Sequence, residues 1–114
     1  MDLEFIRGDT QVIKFPLMDK NENRVKLTEN DNLYFTVKQN SNSEDVLIQK
    51  KYPESINYDD TSGYYFFTIE SEDTSEMPYG TYSYDIELKS GTFVKTLGSG
   101  SITLTEEVTF RGDE

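Results

Sequence analysis

A chain of 114 residues has room for one domain. Its 22 acidic against 11 basic side chains leave a net charge of −11, which repels nucleic-acid phosphates and anionic membrane surfaces and suits a basic protein partner. Cys and His are absent, which removes disulfides, thiolate chemistry, the common zinc sites and Ser–His pairs.

The missing Ala, the strongest helix former, beside 8 Tyr and 7 Phe favours pleated sheet. "MDLEFIRGD" carries acid where a secretion signal needs base, so synthesis in a cytoplasm is expected. "LEFI" (3–6) predicts a strand ended by Arg7-Gly8-Asp9. "QVIKFPLM" (11–18) places Ile13, Phe15 and Leu17 on one face, with Pro16 at an edge or bulge. "DKNEN" (19–23) is a turn, "VKL" (25–27) a short strand or extended connection, and "TEND" (28–31) one helical turn capped by Thr28.

"LYFTVK" (33–38) alternates with Leu33, Phe35 and Val37 inward and Tyr34, Thr36 and Lys38 outward. A polar loop (39–45) leads to "VLIQKKY" (46–52), with Val46 and Ile48 expected inside. After a longer connection (53–63), "YYFFTIE" (64–70) sends Tyr65, Phe67 and Ile69 inward and Tyr64 and Phe66 outward. "SEDTSEMPYG" (71–80) predicts a loop with one helical turn ended by Pro78 and Gly80. "TYSYDIEL" (81–88) aligns Tyr82, Tyr84, Ile86 and Leu88. A "KSG" hairpin, "TFVKTL", "GSG" and "SITLT" complete the pattern. The expectation is an all-β, immunoglobulin-like Greek-key sandwich of about seven antiparallel strands over residues 1–108, with an acidic tail, 109–114, that frays.

Gly80-Thr81-Tyr82-Ser83-Tyr84 fits the start of a strand whose Tyr hydroxyl locks the preceding corner, with Tyr84 where immunoglobulin domains carry Cys. Tyr82 is thus read as a structural, corner-locking residue; the competing expectation, weighed lower, is one inward aromatic among many. Two Arg-Gly-Asp triplets, at 7–9 and 111–113, invite comparison with integrin ligands. Turn chemistry explains the first more simply. Gly8 permits a backbone angle closed to other residues, Asp9 suits an Asx-turn, and Arg7 can lie over the sheet edge against a carboxylate.

"DKNENR" begins like a calcium loop but has Arg24 at its sixth position and Asn30 at its twelfth, so the match fails. "YDDTS" (58–62) and "SEDTSE" (71–76) read as solvated acidic loops. No catalytic, cofactor or metal residue is assigned. The outward aromatics Tyr34, Tyr64 and Phe66 are the candidate partner interface, since Tyr and Phe are enriched at interfaces. The competing expectation is that long neighbours such as Lys50 cover these rings.

The order of "FIRGDT", "FTVK", "EDT", "YGTYSYDIEL" and a closing "EEVT" resembles the immunoglobulin-like domain of tail and baseplate proteins from phages of Gram-positive bacteria. It is most similar to the N-terminal domain of upper baseplate proteins. The resemblance covers nearly the whole chain. It implies a non-enzymatic virion component that docks other virion proteins or self-associates into a symmetric oligomer, without nucleic acid or membrane. The alternative is a module that binds bacterial-surface polysaccharide through Tyr-rich loops.

Overall fold

Period-two alternation gives each strand one apolar face, and two sheets close those faces over a shared interior. The computed structural model describes residues 2–18, 21–40 and 42–106. Its strands are β1 (Asp2–Ile6), β2 (Gln11–Pro16), β3 (Asp31–Lys38), β4 (Val46–Tyr52), β5 (Asn57–Asp59), β6 (Tyr64–Ile69), β7 (Gly80–Ser90) and β8 (Phe93–Thr105). A short helix, α1 (Ser71–Thr74), lies between β6 and β7. The larger sheet runs β1-β8-β7-β3-β4 and the smaller β2-β6-β5. The chain is therefore an all-β sandwich.

The core follows the alternation. Leu33, Phe35 and Val37 from β3, Tyr82 and Tyr84 from β7, and Ile102 and Leu104 from β8 are buried. They face Tyr65, Phe67 and Ile69 of β6. The Phe35 and Phe67 rings meet across the sheets at 4.5 Å between centroids. Phe35 also packs on Tyr84 at 5.5 Å, and Phe15 on Phe67 at 6.1 Å. Pro16 sits at the end of β2, which is an edge strand, where a missing N–H costs no ladder bond.

Several expectations are corrected. Eight strands form among the described residues, because Asn57–Asp59 pairs with β6 inside the stretch expected to be irregular. Not all pairs are antiparallel: β1 runs parallel to β8. "GSG" does not interrupt β8, which continues through it opposite β7. Of the two alternatives for residues 25–27, the connection holds and not the strand, and "TEND" closes as a tight turn rather than a helical one, with Asp31 N–H donating to the Thr28 carbonyl (3.1 Å). Val46 is 48 % exposed, because β3 and β4 shift register between Val37 and Lys38. Lys38 pairs with Val46 while Val37 pairs with Ile48, so Leu47 is an extra residue and Val46 turns outward. The tail 109–114 lies outside the described residues.

The expected corner is present. Tyr82 is buried and its hydroxyl donates to the Pro78 carbonyl at 2.6 Å. Burial pushes its phenol pKa up, against a smaller opposing pull from Arg7. Tyr82→Phe leaves that carbonyl without its donor and is expected to lower stability by about 1–2 kcal/mol with the fold retained, as read by urea denaturation.

The 28–31 turn carries a pH signature. Ser90 Oγ donates to the Asp31 carboxylate, and Thr28 donates through both N–H and Oγ1. These bonds, that of Ser90 first, hold the Asp31 pKa below the usual 3.8. Its stabilisation is therefore present above that value and lost as pH falls through the lowered folded pKa. The stability advantage of the native chain over Asp31→Asn should be greatest near neutrality and vanish in strong acid, measured by denaturation across a pH series.

Candidate functional site

The first Arg-Gly-Asp triplet and the tyrosine corner, far apart in sequence, meet at one end of the sandwich. Arg7 N–H donates to the Thr105 carbonyl (3.2 Å), extending the β1–β8 pairing by one bond. Gly8 then turns with φ +86°, a conformation that side chains disfavour. Its buried N–H donates to Thr74 Oγ1 at 2.9 Å. Asp9 N–H closes the turn on the Ile6 carbonyl at 3.1 Å.

The Arg7 guanidinium reaches over the 77–79 loop. It donates to the Met77 carbonyl (3.3 Å) and the Tyr79 hydroxyl (3.0 Å), and its carbon lies 4.1 Å from the Tyr79 ring centroid. Among the described residues the partners are thus a carbonyl and a phenol, not the expected carboxylate. The Asp9 hydrogen bond runs through the main chain rather than an Asx-turn. Residues 74–79 are held from one side by Arg7 and Gly8 and from the other by Tyr82. Gly80, at φ +145°, opens β7 directly after this corner. With Gly8 buried and Arg7 engaged, the triplet is not displayed as a recognition tip. The second triplet, 111–113, lies outside the described residues.

The three outward aromatics do not form one surface. Tyr34 lies on the outer face of the large sheet, whereas Tyr64 and Phe66 lie on the outer face of the small one. Each is half-buried. Lys51 reaches over Tyr34, with Nζ 5.6 Å from its centroid. Arg24 covers Tyr64 at 4.7 Å and donates to the Ser62 carbonyl. Lys50 covers none of them. It shares the interior-facing side of β4 with Ile48 and pairs with Asp73 at 2.8 Å, the side chains only 13 % and 23 % exposed. Phe66 lies between Lys14 and Asn57 in register, half-buried. Val12, 55 % exposed, lies one position along the same face.

The acidic loops hold turns. Asp59 accepts from Thr61 N–H (3.0 Å) and Ser62 Oγ (2.9 Å), and the Ser62 bond leads in lowering its pKa. Asp73 accepts from Glu70 N–H (2.7 Å) at the start of α1 as well as from Lys50. On the large sheet, a groove of about 340 Å³ is lined by Tyr34, Gln49, Asp85, Glu87 and Lys89 among others.

Thr74, Met77, Tyr79 and Arg24 escaped sequence reasoning. Their contacts with Arg7, Gly8 and Ser62 span 38 to 72 residues, and no local pattern announces them. Thr74→Val preserves shape but removes the acceptor of a buried amide. It is expected to cost about 1–3 kcal/mol in urea unfolding.

No protein-family model matches the chain, and no curated protein sequence does. Among solved structures, the X-ray structure of the endo-beta-1,4-mannanase from Thermotoga petrophila is similar over 93 % of this chain, with a TM-score of 0.56 and 14 % identity. This chain spans 18 % of that protein's length. At such identity the likeness is one of fold, and it agrees with the two-sheet architecture.

Proposed function

We propose that the chain is an immunoglobulin-like domain serving as a non-enzymatic structural adaptor in the tail or baseplate of a phage or prophage virion. The strand order supports the fold reading: β8-β7-β3-β4 opposite β2-β6-β5 corresponds to G-F-C-C′ opposite B-E-D. Crossings between the sheets after β1, β2, β4 and β6 fit Greek-key connectivity. The Tyr82–Pro78 bond corresponds to the tyrosine corner of that fold.

One observation carries the functional reading. The polar groups best suited to chemistry, Arg7, Lys50, Asp31, Asp59 and Asp73, hold turns and loops, while Val12 is exposed beside the half-buried Phe66 on a sheet face. Such a face suits a neighbouring subunit, and repeated weak contacts add up in a symmetric particle. A second reading, polysaccharide binding, is favoured by the groove in which the Tyr34 ring lies among Gln49, Asp85 and Glu87.

Phe66→Ser, introduced into an inducible prophage, is expected to abolish particle assembly while the purified domain keeps its circular dichroism spectrum. Normal particles from that variant would overturn the docking surface. Saturable binding of cell-wall polysaccharide by the isolated domain, lost in Tyr34→Ala, would favour the second reading instead.

A further inference from the structure

Tyr34, Thr36 and Lys38 share the outer face of β3, in a row about 14 Å long at ordinary strand rise. In register, Tyr34 lies between Lys51 of β4 and Glu87 of β7. Thr36 lies between Gln49 and Asp85. Lys89 follows Glu87 on the same face of β7, opposite Asn32. The groove of about 340 Å³ runs over this face, and its lining side chains all come from β3, β4 and β7. Its floor is therefore three paired strands, not loops.

The charges of the lining cancel. Lys38 and Lys89 stand against Asp85 and Glu87, two of each sign, in a chain whose net charge is −11. Among the described residues no ion pair joins the four. Gln49 Nε2 donates to Thr36 Oγ1 at 3.2 Å, which ties the amide to the middle strand. Lys51 Nζ lies 5.6 Å from the Tyr34 centroid, a loose contact on a flexible stem.

This inventory selects a ligand. An ionised carboxylate only accepts hydrogen bonds, an ammonium only donates, and an amide does both. A hydroxyl also does both, so a chain rich in hydroxyls matches every one of these groups. Anionic groups on such a chain would face Asp85 and Glu87 and the field of an acidic protein. Cationic groups would face Lys38 and Lys89. We propose that the groove binds an uncharged polysaccharide, with the C–H face of one sugar ring stacked on Tyr34 in place of Lys51. Asp85 and Glu87 accept from its hydroxyls, while Lys38, Lys89 and Gln49 donate to them. This assignment rests on the polysaccharide reading above and names the class of chain bound.

An array of immobilised oligosaccharides tests it on the full chain. Uncharged chains of glucose, galactose, mannose, rhamnose and N-acetylhexosamine stand beside anionic chains of uronic acid and glycerol phosphate. The native protein should bind at least one uncharged chain saturably, with an affinity unchanged between about 0.05 and about 0.5 M salt. Tyr34→Ala, and Asp85→Ala combined with Glu87→Ala, should each keep the circular dichroism spectrum and weaken that binding at least about tenfold. Glu87→Lys, with the same expected loss, replaces Tyr34→Ala if that variant fails to fold. Phe66→Ser, on the opposite sheet, should bind like the native chain. Binding of anionic chains alone, falling as salt rises, would overturn this inference and leave the polysaccharide reading standing. Binding of no chain up to about 1 mM protein would overturn both. Uncharged-chain binding that survives the groove variants would overturn the site.

Discussion

Contact between Phe35 and Phe67 joins the two sheets, and most of the architecture follows from it. The chain has no Cys to bridge its layers, so aromatic rings supply the cohesion that a disulfide would otherwise share. Tyr65 extends the cluster, with Phe15, Tyr52 and Tyr58 within 6.2 Å of its ring. Its hydroxyl accepts the Leu27 N–H at 2.6 Å and pins the crossing from the small sheet to the large. Burial raises the Tyr65 pKa, so the phenol stays neutral and compatible with this interior.

The two ends of β8 are finished differently. Near Thr105 the strand is covered by β1, and the adjoining corner is bound by Arg7, Gly8 and Tyr82. Toward Phe93 it runs beyond its pairing with β1 and flanks a cleft lined by side chains from both sheets. The first end is satisfied internally, with buried polar groups mostly paired. Arg7 Nε is the one buried side-chain polar atom without a partner among the described residues. The other end borders apolar side chains of both sheets, among them Phe15, Leu17 and Leu97.

Much of this was legible because alternation is a local property. Leu33, Phe35 and Val37 point inward as read, as do Tyr65, Phe67 and Ile69. The tyrosine corner was legible because its hydrogen bond spans four residues. Features set by distant chain were not. Periodicity says that Tyr34, Tyr64 and Phe66 face outward, but not that they belong to different sheets. β5 was missed because three residues between acidic turns give too short a pattern, and Ile56, fully buried just before it, is a single apolar residue in a polar run. Val46 was misplaced because a bulge inverts alternation without a composition signal.

The parallel pairing of β1 with β8 has a mechanical consequence. Asp2 lies beside Ser101 and Ile6 beside Thr105, so tension applied before Asp2 and after Thr105 pulls the two strands lengthwise past each other. All the bonds between them then bear load together, instead of opening one after another like a zip. Resistance to such pulling depends on the unfolding rate rather than on equilibrium stability. This geometry suits a part through which force is transmitted along the polypeptide.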